Sequence, residues 1–453
     1  MTRTPMNTRR EFLQASGLLF APAFLPAGIS ANDRIRVGIA GVKGRGFALL
    51  RSLVEIGKDQ NVEVAALCDV DSEVLSQRAA ACERLNGGKR VAAVGDLRRM
   101  IEDKSLDAIV HATPTHWHAL GAIWTIQAGK DAYVEKPLAL TLWEGRKIVE
   151  AARKYGRIVQ HGTQCRSSPE ILEAMMLVRE GAIGEVYLVR GIGHKYRPSI
   201  GPLKPETPPA TLNYDMWRGP APMKPYSANQ VHYNWHWFWD TGNGDLGNLA
   251  VHGLDVARMA LGLDGLPDQV QSLGGNFVFH DAKETPNFQT SVFRYTQRNV
   301  MLEYSIRNAY SNSEGGMGES IPFTLGDPRD SHAVIIYGSE GYMLLPDYIS
   351  YYIHLGRDRR LSKQRIGTGD RDPVGFHLQN FLHAMRSRKS ADLAAEAEEG
   401  RKSAALCHLA NIAYRVARTL KVDPATEEIV SDAEASALAA RAYRQGYEVP
   451  PSV

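Results

Sequence analysis

Apolar alternation first becomes regular at Arg34–Gly46. Ile35, Val37 and Ile39 predict a short strand, Gly38, Gly41, Gly44 and Gly46 crowd the turn behind it, and Ala48, Leu49, Leu50, Leu53, Val54 and Ile56 predict a helix. A second strand, Val62–Leu67, ends at Cys68 and Asp69, and another, Ala108–Ala112, runs into "TPTHWHA". A helical run near Ala119–Ala128, a strand Asp131–Val134 ending in Glu135, Lys136 and Pro137, a helix near Leu142–Tyr155 and a strand Ile158–Gln160 before "HGTQCR" complete the series. Alternation of this kind predicts a doubly wound parallel sheet, whose ligands lie at the C-terminal ends of the strands. The site should therefore collect Gly41–Gly46, Asp69, Thr113–His118, Glu135–Pro137 and His161–Arg166.

The period then changes. A helix is expected from Pro169 to Arg179, followed by "GEVYLVRGIGHKY" as the first strand of a different sheet. Residues 198–231 are proline-rich with little periodicity and predict a long ordered loop or arm. A helix is expected over about Asn248–Leu261, then strands at Val270–Phe279, Asn287–Tyr295, Val300–Arg307, His332–Tyr337, Gly341–Leu345 and Ser350–Leu355. Strands in sequence with short turns predict a large, mostly antiparallel open sheet with helices on one face. Two helices follow, Gly375–Arg388 and Ala394–Leu420; the second carries the stripe Ala404, Leu406, Leu409, Ile412, Ala413 and Val416 and is expected to pack back on the first domain. The last thirty residues read as a tail of moderate helical character.

The 453 residues divide as a leader at 1–31, an α/β nucleotide domain at 32–160, an α+β substrate-binding and oligomerisation domain at 161–375, and C-terminal helices with a tail at 376–453. Net charge is +3, about +1 without Arg3, Arg9, Arg10 and Glu11, and no basic stripe with interleaved aromatics argues for nucleic acid. Cys68, Cys82, Cys165 and Cys407 show neither close metal-ligand spacing nor a disulfide framework. Paired Arg9 and Arg10 before Phe12 and Leu13, then a modest apolar run broken by Pro22 and Pro26, form the twin-arginine export pattern, which carries folded proteins to the periplasm through the Tat machinery. The run is too short and too broken to span a bilayer, so no stable membrane insertion is expected.

Glycines let a backbone approach a pyrophosphate lying on a helix N-terminus. In the turn from Gly41 to Gly46, Lys43 stands where a second glycine is usual and Gly44 follows it, so the Lys43 side chain must point away or reach round to a phosphate oxygen; Arg45 sits between Gly44 and Gly46. Asp69 reads either as acceptor for two ribose hydroxyls or as the start of a surface turn. Asn248, His252 and Asp255, spaced by four and three, fall near one face of a helix. Tyr233, Trp235, Trp237, Phe238 and Trp239 form an aromatic cluster suited to the C–H faces of a glycoside or to core packing, with Arg166, His194, Lys195, His232 and His236 as polar contacts. His232, His236 and Asp240 have a metal-like spacing, but no metal is expected because Trp235–Trp239 does not read as a regular helix.

Taken in order, "GIAGVKGRG", "CDVD", "ATPTHWHA", "YVEKPLA", "HGTQCR" and "GNGDLGNLAVHGLDVARMAL" resemble the glucose–fructose oxidoreductase / inositol dehydrogenase / rhizopine catabolism (Gfo/Idh/MocA) family over nearly the whole chain after the leader. The resemblance implies a Rossmann domain, bound NAD or NADP, hydride transfer at a sugar or polyol carbon, and homodimers or homotetramers formed through the open sheet. It implies that Lys136 is the acid–base group, directed by Pro137 through a cis bond, with an ion pair to Glu135 as the alternative. It places Thr113, Pro114 and His118 beside the nicotinamide, with Trp117 over the ring. His252 matches the family's histidine, while Asn248 replaces an aspartate and moves proton transfer onto His252 or Lys136; Asp255 reads as a brace. Asp69 favours NAD over NADP, because a 2′-phosphate would meet a like charge. The expected function is an exported, cofactor-retaining NAD-dependent carbohydrate oxidoreductase. The alternatives are an NAD-dependent glycoside hydrolase working by transient oxidation, elimination and re-reduction, and a sugar-binding protein with a vestigial nucleotide fold.

Overall fold

The computed structural model describes residues 33–310, 331–367 and 372–453, so the leader lies outside the described residues. The first domain interleaves β1 (Ile35–Ala40), α1 (Arg45–Gln60), β2 (Val62–Cys68), α2 (Ser72–Leu85), β3 (Ala92–Val94), α3 (Leu97–Glu102), β4 (Ala108–His111), α4 (Thr115–Gln127), β5 (Asp131–Val134), α5 (Leu142–Tyr155) and β6 (Val159–His161). The six strands are parallel in the order β3-β2-β1-β4-β5-β6, the doubly wound arrangement, with the reversal of order beside β1. β3 escapes the sequence pattern because its three residues are mostly exposed and too few to show a period.

After α6 (Pro169–Arg179), β7 (Val186–His194) enters a nine-stranded sheet. The proline-rich arm then folds back on the first domain. The Asn213 amide donates to Val70 O at 2.9 Å, the Ser72 amide donates to Thr211 O at 2.9 Å, and Leu212 bridges Asp71. The arm contains the short α7 (Tyr214–Arg218) and leads to a π turn at Leu246–Ala250 that runs into α8 (Val251–Leu261). The helix expected from Asn248 thus begins with a widened turn. Strands β8 (Gln269–Gly275), β9 (Phe288–Tyr295), β10 (Val300–Arg307), β11 (Ser331–Gly338), β12 (Gly341–Leu345), β13 (Ser350–Leu355) and β14 (Arg360–Ile366) follow. Their order is β14-β13-β12-β11-β7-β10-β9-β8-β15, with β15 (Leu420–Lys421) at one edge and β7–β10 the single parallel pair. Period-two burial along β8 and β9 shows one face covered and the other open.

The C-terminal segments divide the packing differently from the expectation. α9 (Pro373–Ser387) seats Leu378, Phe381 and Leu382 in the same cluster as Leu49, Leu50 and Leu53 of α1. α10 (Ala397–Val416) is buried on nearly every side because it bridges both domains, with Ala397 and Ala404 against the first and Leu406, Leu409, Ile412 and Ala413 against the second. Of the tail, only α11 (Ala433–Ala437) is helical. Beyond Ala439 the chain runs over the first domain, where Arg441 Nε and Tyr443 Oη donate to the buried Glu144 at 2.7 and 2.9 Å.

Candidate active site

Two glycines of the first turn are required by contact. A Cβ on Gly41, whose φ is +80°, would lie 2.6 Å from Ala112 O, and one on Gly46 would lie 1.8 Å from Gly41 O. Gly44 differs: a Cβ there would meet nothing within 4 Å, and no side chain caps the helix that starts after it. This leaves an open approach to an uncapped helix N-terminus, the local requirement for a pyrophosphate. Lys43 is exposed, and its carbonyl accepts from Arg78 Nη2 at 3.2 Å. Asp69 follows β2 and shapes the same turn, with Oδ2 accepting from the Val42 amide at 2.9 Å and Oδ1 from the Asp71 amide at 3.1 Å. One acceptor site remains on each oxygen, enough for two ribose hydroxyls. Burial pushes the Asp69 carboxyl up, and the two amide donors oppose that shift. At the end of β4, Thr113 Oγ1 is buried without a hydrogen-bond partner, beside Pro114 at the start of α4. The residues present fit a dinucleotide.

Two residues expected at the nicotinamide are turned elsewhere. His118 is 1% exposed, and its two ring nitrogens face Pro137 O at 2.8 Å and Thr113 O at 2.9 Å, so it links two strand-end loops from behind. Burial lowers its pKa. Trp117 lies in the core, its Nε1 donating to Met216 O at 3.1 Å and its ring edge-on to Trp124 and Tyr447. Both residues fall on α4, which is buried around almost its whole circumference.

The strand end of β5 carries the densest chemistry. The Lys136–Pro137 peptide bond is cis, as the resemblance implied. Lys136 Nζ donates to Asn248 O at 2.6 Å and to Asn248 Oδ1 at 3.1 Å. Burial pushes Lys136 down to about 8, while Glu135 acts in the opposite sense. Glu135 pairs not with Lys136 but with Arg45, whose Nε lies 2.6 Å from its Oε1. Burial works against the charge on Arg45, and Glu135 outweighs it, so Arg45 is held charged. Arg45 and Glu135, both expected to touch cofactor, therefore hold each other and tie the glycine turn to the lysine loop.

Arg166 and His194 are corrected as substrate contacts. Arg166 grips the fully buried Asp255 with Nε at 2.9 Å and Nη2 at 2.8 Å and reaches Glu399 at 3.0 Å, so none of its charge is directed at a ligand. Asp255 is a brace, also accepting from Ser403 Oγ at 2.6 Å. His194 is 1% exposed within the sheet, 3.4 Å from Ser305 Oγ. Trp237 is likewise buried; Arg197 stands 5.3 Å from its ring centroid, and its Nε1 donates to Asn234 Oδ1 at 3.3 Å.

Tyr233, Trp235 and His236 remain as partly open aromatics. His236 stacks on Trp235 at 3.6 Å between ring centroids, its Nδ1 lies 2.6 Å from Tyr233 O, and burial lowers its pKa to about 3. His252 lies four residues beyond Asn248, largely buried, with its ring 5.6 Å from that of Tyr348. His232 belongs to the adenosine side, 3.0 Å from Asp71, and Asp240 pairs with Arg218, so the two are drawn apart from His236 by other partners. No group of three metal-ligating side chains occurs among the described residues.

The sequence reading missed Arg197, Asp245 and Asn308. Arg197 Nε and Nη2 each lie 3.1 Å from the buried Asp245 carboxylate, and Arg197 Nη1 donates to Tyr233 Oη at 3.0 Å. Asp245 also accepts from Asn248 Nδ2 at 3.0 Å and from Asn308 Nδ2 at 2.5 Å. The only signal was the three-residue spacing of Asp245 and Asn248. Of the four cations Arg45, Lys136, Arg166 and Arg197, Lys136 alone makes no ion pair among the described residues.

Comparison with known proteins agrees with this architecture. Residues 35–163 match the oxidoreductase family's NAD-binding Rossmann fold, and residues 187–294 and 326–449 match the family's C-terminal alpha/beta domain. The chain belongs to the Gfo/Idh/MocA oxidoreductase family. The matched Rossmann fold is the family's NAD-binding domain. A glycosyl hydrolase family 109 protein of Shewanella sp. (strain W3-18-1) is 30% identical over 204 residues, 39% of this chain and 44% of that protein. The match thus spans less than half the length of that curated relative. Levoglucosan dehydrogenase, solved with NADH and levoglucosan, superposes with a TM-score of 0.64 at 17% identity over 86% of this chain and 100% of its own. The aldose-aldose oxidoreductase of Caulobacter crescentus, solved with glycerol, gives 0.64 at 15% over the same shares. At these identities the likeness is one of fold.

Proposed function

We propose that the chain is an NAD(H)-dependent oxidoreductase acting at a hydroxyl-bearing carbon of a sugar or glycoside. The observation that carries this reading is Lys136, in no ion pair with a carboxylate among the described residues, held on Asn248 at 2.6 and 3.1 Å and pushed by burial to about 8. Gly41, Gly44 and Gly46 with the α1 N-terminus would hold the pyrophosphate, Asp69 the adenosine ribose, and Thr113 and Pro114 the wall beside the ring. NAD, when bound, supplies a hydride acceptor. Neutral Lys136 takes the proton of the substrate hydroxyl at Nζ, and its charged form stabilises the oxyanion in the reverse direction. His252 holds the hydroxyl, and Tyr233, Trp235 and His236 offer aromatic faces to the sugar's C–H surface. Export in the folded state by the twin-arginine route to the periplasm belongs to the same proposal, as do a retained and recycled cofactor and homo-oligomers formed through the open face of the nine-stranded sheet. No helix among the described residues is long and apolar enough to cross a membrane.

The likeness to glycosyl hydrolase family 109 proteins favours a second reading on the same residues. In it, oxidation of a ring carbon acidifies the adjacent C–H, elimination expels the aglycone, and water addition with re-reduction gives net hydrolysis. A panel of free sugars and nitrophenyl glycosides separates the two. Reduction of NAD without aglycone release is expected of the oxidoreductase, and release without net reduction marks the hydrolase. Lys136→Ala should lower the rate of either by about 10²–10⁴-fold with the fold intact. Unchanged turnover in that variant, or a protein that neither carries nor binds NAD, sinks both readings.

A further inference from the structure

Asn248 stands between the Lys136 ammonium and a buried carboxylate, Asp245. Asp245 is fully buried and its four acceptor positions are filled. Oδ1 takes Arg197 Nη2 at 3.1 Å and Asn248 Nδ2 at 3.0 Å, while Oδ2 takes Arg197 Nε at 3.1 Å and Asn308 Nδ2 at 2.5 Å. An ionised carboxylate accepts only, and an ammonium donates only. An amide between the two is therefore fixed in one of its two flips, NH2 towards Asp245 and oxygen towards Lys136. The π turn at Leu246–Ala250 presents the Asn248 main-chain carbonyl to the same ammonium. An aspartate at 248 would put two carboxylates at hydrogen-bond distance, so the amide is the side chain that suits a buried Asp245.

We propose that Asp245 is a positioning residue for Lys136: acting through Asn248, it restores at one remove the carboxylate control that an aspartate at 248 would exert directly. Arg197 completes the device by neutralising Asp245 and by donating to Tyr233 Oη at 3.0 Å, which ties the aromatic lip to the same carboxylate. The charged or titratable groups around Lys136 are Glu135 and Arg45 on the strand-end side, Asp245 and Arg197 on the π-turn side, and His118, His236 and Cys407 around them. Glu135 and Asp245 favour the charged amine, whereas Arg45 and Arg197 disfavour it.

The proposal rests on Lys136 being the acid–base group of the preceding reading, but its test follows the Lys136 amine itself, so failure here and failure there are distinguishable. The full chain is labelled with acetic anhydride across a pH series, and acetylation of the Lys136 peptide is followed by mass spectrometry. Asp245→Asn should lower the midpoint by about one pH unit, a roughly fivefold faster labelling at neutral pH. Arg197→Gln should move it upward. The Asp245→Asn shift should fall to less than half in an Asn248→Ala background. Midpoints that stay put, or that move together towards an ordinary lysine as general loosening or misfolding would cause, overturn the proposal. So does an Asp245→Asn shift that persists undiminished without Asn248, because the effect would then be a field acting through space rather than positioning.

Discussion

Asp245 and Asp255 lie ten residues apart on one helical stretch, both fully buried and both gripped by an arginine from a distant element. In each, burial opposes ionisation, and the arginine together with the other donors outweighs it, Arg197 with Asn248 and Asn308 for Asp245 and Arg166 with Ser403 for Asp255, so both carboxyls sit below the usual range. The difference lies in what else they touch. Asp255 accepts from Ser403 on α10, and its arginine continues to Glu399, which also pairs with Arg258, so the network ends in scaffold. Asp245 accepts from Asn248, and that amide ends on Lys136. The role of a buried carboxylate is thus set by where its remaining lone pairs lead rather than by its burial or its arginine.

The sharpest way to break this contrast is Asp255→Ala. It leaves Arg166 buried beside one partly exposed glutamate, and a stability loss of about 3–5 kcal/mol is expected from denaturant unfolding. The molecules that still fold should bind NAD as before. A variant of full stability that loses NAD or turnover would make Asp255 a functional carboxylate and erase the distinction.

Acid titration separates the carboxylates from the buried histidines. His111, His116 and His161 are pushed by burial to about 3, and His377 and His408 to about 4. Each is neutral in the fold, while the unfolded chain takes up a proton near 6.5, so the stabilisation is present above that pH and is lost as pH falls towards 3–4. Asp245 and Asp255, with lowered values, lose theirs only below the ordinary aspartate range. Asp255 acts to raise His161 and His377, but both lie so far down that stability measured between pH 6.5 and 5 should fall with the same slope in wild type and in Asp255→Ala. A steeper slope in the variant would mean that the carboxylate holds the histidines' protons within that range.

The smallest effect tests the glycine turn against the same criterion of contact. Gly44→Ala meets no atom and should leave the melting temperature within a few degrees while weakening NAD binding, because the added methyl occupies the open approach. Gly46→Ala collides with Gly41 O and should lose both. Equal behaviour of the two variants in calorimetry and NAD titration would remove the assignment of Gly44 to the cofactor side.

Much of this arrangement was legible in the residues. Period-two and helical runs marked most elements of both domains, since local burial on one face leaves a local pattern; α2 and α3 escaped, as did β3, β14 and β15, the strands being short, exposed or both. The glycine turn, Asp69 and Lys136 fall at strand ends, where topology alone gathers them. The sequence by itself thus determined the order of the chain, the Rossmann domain and the residue types at its rim. Tertiary structure decided the partners: Arg45 for Glu135 across 90 residues, Arg166 for Asp255 across 89, and His118 turned behind the wall. It also decided that Asp245, unremarked in the sequence, stands behind Asn248. Ion pairs and amide orientations between distant segments leave no periodicity in the chain, because they are fixed by the packing of one domain on the other and by the lone pairs that packing leaves to be filled.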